Sequence, residues 1–165
     1  MEPRIDVMKV DPKAYQAMSS LENYLRNSGL EKPLVNLMIT RASQINGCAY
    51  CIDMHTKDAR AAGETEQRLY ELDAWRETPF YSDRERAALA WTESLTLVSE
   101  THVPDEVFEE VKKHFSEAEI VALTIAVVGI NGWNRIAIAM RAVPGTYQPG
   151  QWEQQQHKRA AQQNA

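Results

Sequence analysis

Residues 41–55 read RASQINGCAYCIDMH, and this segment joins two helical patterns through Asn46-Gly47. An Asn-Gly pair marks a turn or a helix junction. Before it, residues 33–45 carry apolar side chains at helical spacing, and after it residues 48–62 are again helical in pattern. The segment therefore predicts two helices joined by a short turn.

Helix signals continue on both sides of this segment, whereas strand signals are scarce. Asp11 followed by Pro12 is typical of a helix N-cap with proline at the first helical position. Ser82 and Ser116 are each followed three residues later by glutamate, which is the capping-box pattern of a helix start. The sequence therefore predicts an all-α fold, with helices near residues 12–29, 33–45, 48–62, 65–75, 82–98, 104–114 and 117–142.

Length and composition indicate one compact domain followed by a polar tail. The chain has 165 residues, of which 44% are hydrophobic and 25% charged, enough to bury a sizeable core. We assign residues 1–144 to this domain. After it, glycine and proline break regular structure and a glutamine-rich stretch follows. Residues 145–165 are therefore predicted to form a peripheral or disordered tail, with Trp152 as a candidate anchor.

Charge and hydropathy argue against several classes of partner. The net charge is −5 and no basic stripe stands out, whereas nucleic-acid binding needs clustered Lys and Arg. The N-terminal sequence MEPRIDVMKVDP lacks the apolar core of a secretory signal. The most apolar run, residues 120–130, is about half the length of a membrane span. We therefore expect a cytoplasmic protein with neither a nucleic-acid nor a membrane partner.

The same apolar run predicts an oligomer. Residues 120–130 are apolar almost all the way round, and such a helix must be covered on every side. In a domain of this size, we expect the cover to come both from the domain's own core and from a neighbouring subunit. The sequence therefore predicts a homo-oligomer.

Cys48, Cys51 and His55 form the chemically informative set. Residues three, four and seven apart lie on one face of a helix, so the three side chains share a face. At a rise of about 1.5 Å per residue, the two cysteine Cα atoms lie about 5 Å apart, within the range that a disulfide spans. In a reducing cytosol, cysteines at this spacing are more often redox-active or metal-binding than a static disulfide. We predict a pair that opens and closes without refolding, at a place where oxidant from solvent reaches the sulfurs.

Reactivity requires the thiolate, because a free cysteine has a pKa of about 8.5. Gly47 places the motif at a helix N-terminus, whose dipole favours an anion at Cys48. His55 lies one turn beyond Cys51 and can take its proton, which would give a thiolate–imidazolium pair. The dipole favours Cys48 as the nucleophile and the histidine favours Cys51, so the residues alone leave both assignments open.

A Cys-x-x-Cys pair is also compatible with two arrangements that carry no redox chemistry. The cysteines can be packed side chains without reactivity, or half of a zinc site. A structural zinc site has four protein ligands, and no second Cys/His pair lies nearby, since His102, His114 and His157 are scattered. His55 at the matching helical offset favours a redox pair. We therefore predict no metal and no cofactor beyond a redox-active disulfide.

Two segments resemble a known family. Residues 41–60, RASQINGCAYCIDMHTKDAR, are similar to the core motif of the alkylhydroperoxidase D and carboxymuconolactone decarboxylase-like family. Residues 130–141, INGWNRIAIAMR, resemble a recurring element of its peroxidase-related branch. The resemblance spans about residues 33–141. It implies an all-α fold, assembly as trimers or hexamers, and an antioxidant enzyme that reduces organic hydroperoxides without metal or haem.

The resemblance also implies roles for the three residues. The family's second cysteine, here Cys51, attacks the peroxide and becomes a sulfenic acid, and the first, Cys48, then condenses with it to a disulfide. His55 matches the histidine of the family's proton relay. A dithiol reductant, in some members a lipoyl-bearing protein, restores the thiols by exchange. On this basis we assign Cys51 as the attacking residue.

Two positions depart from the family pattern. Characterised members carry a relay glutamate twelve residues before the first cysteine, where this chain has Asn36, and an amide does not shuttle protons at neutral pH. Some members have histidine between the cysteines, where this chain has Tyr50, which is mostly un-ionised near neutral pH. Either change predicts slower catalysis or another substrate. The alternatives are a redox sensor, an oligomeric binding protein, or a lactone decarboxylase-like enzyme of a branch that does not depend on paired cysteines.

Polar residues elsewhere have both structural and functional interpretations. Asn134 and Arg135 interrupt an apolar helix and are costly to bury unpaired. They are either an anchor, with a partner such as Asp53, or the polar wall of a substrate pocket. Glu93 and Glu100 are predicted to be solvated.

Overall fold

The computed structural model describes residues 2–151, and the regular structure in that part of the chain is entirely helical. The predicted all-α fold is therefore confirmed. Trp152 and the tail residues after it lie outside the described residues. The helices are α1 (Val7–Val10), α2 (Pro12–Arg26), α3 (Lys32–Ile45), α4 (Ala49–Ala61), α5 (Glu66–Tyr70), a 3-10 helix (Leu72–Glu77), α6 (Asp83–Thr96), α7 (Val98–Thr101), α8 (Asp105–Lys112) and α9 (Glu117–Met140).

Most predicted helices are found within a few residues of their expected ends, but two of them are broken. The predicted helix 65–75 divides into α5 and the 3-10 helix, where Ala74 has non-helical torsions. The helix predicted to reach Val98 ends at Thr96, because Leu97 leaves helical geometry at φ −100° and ψ 35°. No sequence signal predicts α1, which has only four residues and is too short to display a helical period.

α9 is the central helix of the bundle. It packs against α2, α3 and α6, and its buried side chains include Leu123, Val127 and Ile130. At 24 residues it is long and apolar enough to cross a bilayer by length and composition alone. The apolar helix is therefore longer than the sequence analysis of residues 120–130 indicates. The central position explains this composition, because a core helix needs apolar side chains on several faces.

Both predicted capping boxes are present. The Ser82 Oγ accepts from the Glu85 N–H, and the Glu85 carboxylate accepts from the Ser82 N–H at 2.8 Å. At the start of α9, Ser116 and Glu119 make the same pair of bonds. These bonds satisfy backbone donors that the first turn of a helix leaves open, which explains why α6 and α9 begin where the sequence predicts.

Glu93 connects three helical elements instead of facing solvent. Its carboxylate accepts from Arg41 Nε of α3 at 2.7 Å, from Trp75 Nε1 of the 3-10 helix at 3.0 Å, and from Arg76. Burial alone would raise the pKa of Glu93, but these hydrogen bonds outweigh it and lower the pKa. The prediction of a solvated Glu93 is therefore wrong, because helical periodicity carries no information about partners 18 and 52 residues away.

We predict that Glu93→Gln lowers the free energy of unfolding at neutral pH by about 1.5–3 kcal/mol, the range for hydrogen bonds to charged groups. Because the pKa of Glu93 is lowered in the folded state, its contribution is present above the unfolded pKa of 4.5 and is lost as the pH falls through the folded value. Urea unfolding at several pH values measures this contribution. The exposed residue Glu100 supplies the control, Glu100→Gln, and equal effects of the two substitutions would contradict the role given to Glu93.

Candidate redox site

The connection between α3 and α4 is a tight helix C-cap. Asn46 is the last residue of helical geometry, and Gly47 follows in the left-handed region at φ 66°. The Gly47 N–H donates to Gln44 O at 3.1 Å, and the Cys48 N–H donates to Ser43 O at 3.0 Å. These two bonds form a Schellman motif, which satisfies carbonyls that the end of α3 would leave unpaired.

Cys48 ends one helix and begins the next. It donates to α3 through its N–H, and its carbonyl oxygen accepts from the Ile52 N–H at 2.9 Å as the N-cap of α4. Its torsions, φ −82° and ψ 91°, are extended and not helical. The sequence pattern places Cys48 inside the helix, whereas it lies one position before the first helical residue. Cys51 is the third residue of α4, so both cysteines belong to its first turn.

Cys48 and Cys51 are joined by a disulfide, with their Cα atoms 5.4 Å apart. This separation agrees with the spacing expected from the sequence. Both sulfurs lie at the positive end of the α4 dipole, which would stabilise either thiolate. The dipole therefore does not favour Cys48 over Cys51 in the way the sequence argument assumed. Within residues 2–151, no three His, Cys, Asp or Glu side chains lie close enough together to hold a metal ion.

Both cysteines are buried in the disulfide form. Cys48 is 1% exposed and Cys51 2%. The turn at Gly47 folds α4 back against α3, and α9 also packs on α4, so the first turn is covered from two directions. The expectation that oxidant in solvent reaches both sulfurs is therefore wrong for this form of the chain.

His55 lies on α4, one turn after Cys51. Its Nε2 is buried and has no hydrogen-bond partner among the residues that the structure describes. Desolvation lowers the pKa of His55 to about 4, because burial disfavours the imidazolium. In the disulfide form His55 is therefore a neutral imidazole at physiological pH.

A buried polar network ties the α3–α4 junction to α9. The Asn46 Nδ2 donates to Asn131 Oδ1 at 3.0 Å and to Asn134 Oδ1 at 2.9 Å. The Asn134 Nδ2 in turn donates to Ser43 Oγ at 3.1 Å, and both of these residues are fully buried. The network joins the two sequence segments that resemble the family, although 85 residues separate Asn46 from Asn131. Asn134 is therefore a structural anchor of the junction.

Arg135 belongs to the edge of the same network. Its Nη1 donates to Asn131 O at 2.9 Å and to Asn131 Oδ1 at 3.0 Å, and the residue is exposed. Asp53 instead accepts from Lys57 Nζ and from the Gly145 N–H, each at 3.0 Å. The suggested pairing of Arg135 or Asn134 with Asp53 is therefore wrong.

The residues just after the predicted domain boundary pack on α4. Lys57 Nζ donates to Gly145 O at 3.3 Å and to Tyr147 O at 3.2 Å, and the Tyr147 hydroxyl donates to the Asp58 carboxylate at 2.8 Å. Burial, then Asp58 and the nearby Tyr50, raise the pKa of the buried Tyr147. Residues after 144 therefore pack on α4. The sequence analysis missed Tyr147 because its segment has no helical period and few apolar neighbours.

Asn36 lies away from the cysteines. It is a buried residue of α3 and lines a cavity of about 280 Å³ with Ala59 and Ala62. Ala59 follows Cys51 by eight residues, which is about 12 Å along a helix. Asn36 therefore faces the far end of α4, and no hydrogen bond joins it to His55 among the described residues.

The family is shown by comparison of the whole sequence. The profile of the carboxymuconolactone decarboxylase family matches residues 12–94, which run from α2 into α6 and include the disulfide and His55. The protein belongs to this family. The resemblance found in residues 41–60 is therefore confirmed.

Three bacterial proteins that the chain is similar to support the same assignment. The chain is 45% identical to the uncharacterized protein YdfG of Bacillus subtilis over 140 residues, which are 85% of this chain and 95% of YdfG. Its fold matches ATU0492 from Agrobacterium tumefaciens, a protein of unknown function proposed to be the antioxidant defence protein AhpD. The TM-score is 0.85 and the identity 44%, over 88% of this chain and 100% of ATU0492. An uncharacterized peroxidase-related protein of Ralstonia eutropha with an alkylhydroperoxidase AhpD core shares the fold, with a TM-score of 0.75 and 19% identity over 85% and 75% of the two chains.

We predict that Gly47→Ala lowers the free energy of unfolding by about 1–2 kcal/mol, since a Cβ is strained in the left-handed region. No atom lies within 4 Å of that Cβ, so the loss reports backbone strain alone. Gly129→Ala inside α9 is the matched control, because its Cβ would make an ordinary 3.8 Å contact with Leu21 and helical alanine gains about 0.5–1 kcal/mol over glycine. Urea unfolding of the disulfide forms measures both, and a Gly47→Ala protein as stable as wild type would contradict the left-handed junction.

Proposed function

We propose that the protein is a thiol-dependent peroxidase that reduces organic hydroperoxides through Cys51 and Cys48, as part of antioxidant defence. The observation that carries this proposal is the disulfide at the start of α4, one turn before a neutral histidine whose Nε2 is buried. A helix N-terminus and a proton acceptor are the two features that convert a cysteine into a thiolate nucleophile.

In the proposed reaction the reduced Cys51 thiolate attacks the terminal oxygen of the hydroperoxide. The O–O bond breaks, the alkoxide takes a proton and leaves as an alcohol, and Cys51 becomes a sulfenic acid. The Cys48 thiol then attacks the Cys51 sulfur and releases water, which gives the disulfide. A dithiol reductant, by analogy with the family a lipoyl-bearing protein, reduces it by thiol–disulfide exchange.

His55 is the proposed proton carrier. Desolvation lowers the pKa of His55 to about 4 in the disulfide form, so this role requires the Cys51 thiolate to raise that pKa in the reduced form, as an opposite charge does. Its i+4 position places it on the face of Cys51, and Cys51 is therefore the attacking residue in this proposal. The proton that His55 holds would then pass to the departing alkoxide.

The burial of both sulfurs imposes a condition on this reaction. A hydroperoxide reaches Cys51 only if the reduced site opens, since the disulfide form leaves almost no sulfur-bearing surface exposed. We therefore expect compact organic hydroperoxides to react faster than bulky ones.

We predict that Cys51→Ser abolishes peroxide consumption with a dithiol donor, while His55→Ala lowers kcat/KM by about 100-fold or more, the contribution typical of a positioned proton carrier. His114→Ala, on the C-terminal side of α8, is the matched histidine control and should leave the rate unchanged. Full turnover by Cys51→Ser would reject the assignment of the nucleophile, and full turnover by His55→Ala would reject the relay.

A non-catalytic redox sensor is the second candidate, because the disulfide of Cys48 and Cys51 is compatible with a pair that opens and closes without turnover. In that case the pair would still cycle between thiols and disulfide, but peroxide would not be turned over. Measuring the disulfide's redox equilibrium and the peroxidase rate on the same preparation separates the two functions.

We predict that Asn36→Glu leaves the peroxidase rate near that of wild type, because Asn36 faces the far end of α4. Steady-state peroxide consumption over a range of pH measures the effect. A gain of about 100-fold, the size that general acid–base catalysis supplies, would contradict this placement. It would also indicate that the native chain is impaired as a peroxidase.

We further propose that the chain is a cytoplasmic homo-oligomer, a trimer or hexamer as in related proteins. The supporting observation is a set of apolar α9 side chains, Val121, Val128 and Ile138, that stay exposed in the single chain. Covering such a surface favours association. Sedimentation at micromolar concentration tests this proposal, and a monomer would reject it.

A further inference from the structure

We propose that Asn46, Asn131 and Asn134 are positioning residues that hold Cys48 ready to attack the Cys51 sulfenic acid. This inference rests on the proposed peroxidase cycle, in which Cys48 is the second thiol to act. The α3–α4 junction and the polar network that ties it to α9 carry the argument. None of the three asparagines is bonded to a sulfur, so their effect must pass through the backbone that carries Cys48.

The position of Cys48 is fixed by backbone hydrogen bonds as well as by the packing of α4. As the N-cap of α4 it has extended torsions instead of helical ones, and its N–H is bonded to Ser43 O of the preceding helix. Cys51, in contrast, lies within α4. A disturbance of the junction would therefore move Cys48 relative to Cys51.

Asn46 connects this junction to α9. It is the C-cap of α3, two residues before Cys48, and its side-chain amide donates to both Asn131 and Asn134. These bonds fix the place from which the chain turns at Gly47. Without them the turn would still be allowed, but its direction relative to α9 would be less restricted.

Asn134 strengthens the constraint because it is fully buried. Its Oδ1 accepts from Asn46, and its Nδ2 donates to Ser43 Oγ. Ser43 also supplies the carbonyl that receives the Cys48 N–H. A buried amide left without partners costs about 1–3 kcal/mol, so the network favours one arrangement of Ser43, Asn46 and Cys48.

The chemical consequence is a high effective concentration of the Cys48 thiol at the Cys51 sulfur. Disulfide formation from Cys51–SOH and Cys48–SH releases one water and needs no further oxidant. Its rate and its equilibrium both depend on how often the two sulfurs meet, as for any intramolecular step. A loosened junction would make the disulfide easier to reduce and would prolong the life of the sulfenic acid.

The test is Asn46→Ala, compared with Asn27→Ala. Asn27 is also a helix C-cap asparagine, at the end of α2, and its side chain donates only to Asn23 O. Each folded protein is equilibrated in dithiothreitol redox buffers and its thiols are trapped and counted. We expect Asn46→Ala to shift the equilibrium about tenfold towards the dithiol, equivalent to about 30 mV, and Asn27→Ala to match wild type.

A second readout follows the sulfenic acid directly. Reduced protein is mixed with one equivalent of cumene hydroperoxide and a sulfenic-acid trap, and the Cys51 adduct is quantified by mass spectrometry. More adduct in Asn46→Ala than in wild type and Asn27→Ala is expected. An unchanged redox equilibrium in folded Asn46→Ala, or an equal shift in Asn27→Ala, would overturn the proposal.

Two further outcomes keep the result interpretable. If Asn46→Ala does not fold, Asn131→Ala replaces it, since it removes one acceptor of Asn46 and keeps the buried Asn134 bonded. A wild-type redox equilibrium in that variant would overturn the proposal. A shifted equilibrium in a protein that consumes no hydroperoxide would reject the peroxidase function but support the positioning role.

Discussion

The site depends on one left-handed residue between two helices. Gly47 allows α3 to end in a Schellman motif and α4 to begin immediately afterwards, with Cys48 serving both helices. Gly47 is the one residue between the C-cap of α3 and the N-cap of α4. The first turn of α4 then brings Cys48 and Cys51 to a Cα separation of 5.4 Å. A longer or less defined loop would leave the position of Cys48 free, and a continuous helix would change the direction of α4.

This junction is stabilised from a distance by α9. α9 contributes buried apolar side chains such as Leu123 and Val127 to the core, and its Asn131 and Asn134 bond to the end of α3. Buried amides are costly unless each of their hydrogen bonds is made. The asparagines therefore favour one arrangement of the junction relative to α9, in addition to any stability that they add. The same compactness that orders the pair also buries it, and burial keeps His55 neutral. The order of the pair, its protection from solvent and the neutral state of His55 thus share one physical origin.

Much of this arrangement follows from local sequence signals. The two capping boxes, the Asn-Gly turn and the spacing of Cys48 and Cys51 act over one or two helical turns, and the structure has each of them. The sequence pattern places Cys48 one residue too far into the helix, because a period does not distinguish an N-cap from a first helical residue. The partners of Glu93, Asn134 and Tyr147 lie 17 to 91 residues away, and no local pattern encodes contacts of that range.

The central claim is that Cys51 and Cys48 act together on a hydroperoxide, with no group outside the chain needed for one turnover. Mixing fully reduced protein with an excess of a compact organic hydroperoxide, ethyl hydroperoxide, without any donor, and counting thiols and alcohol over time tests it most directly. The account predicts one alcohol formed for each two thiols lost, with a protein two mass units lighter and a disulfide between Cys48 and Cys51. Thiols that persist in the presence of peroxide, or alcohol formed without thiol loss, would contradict it.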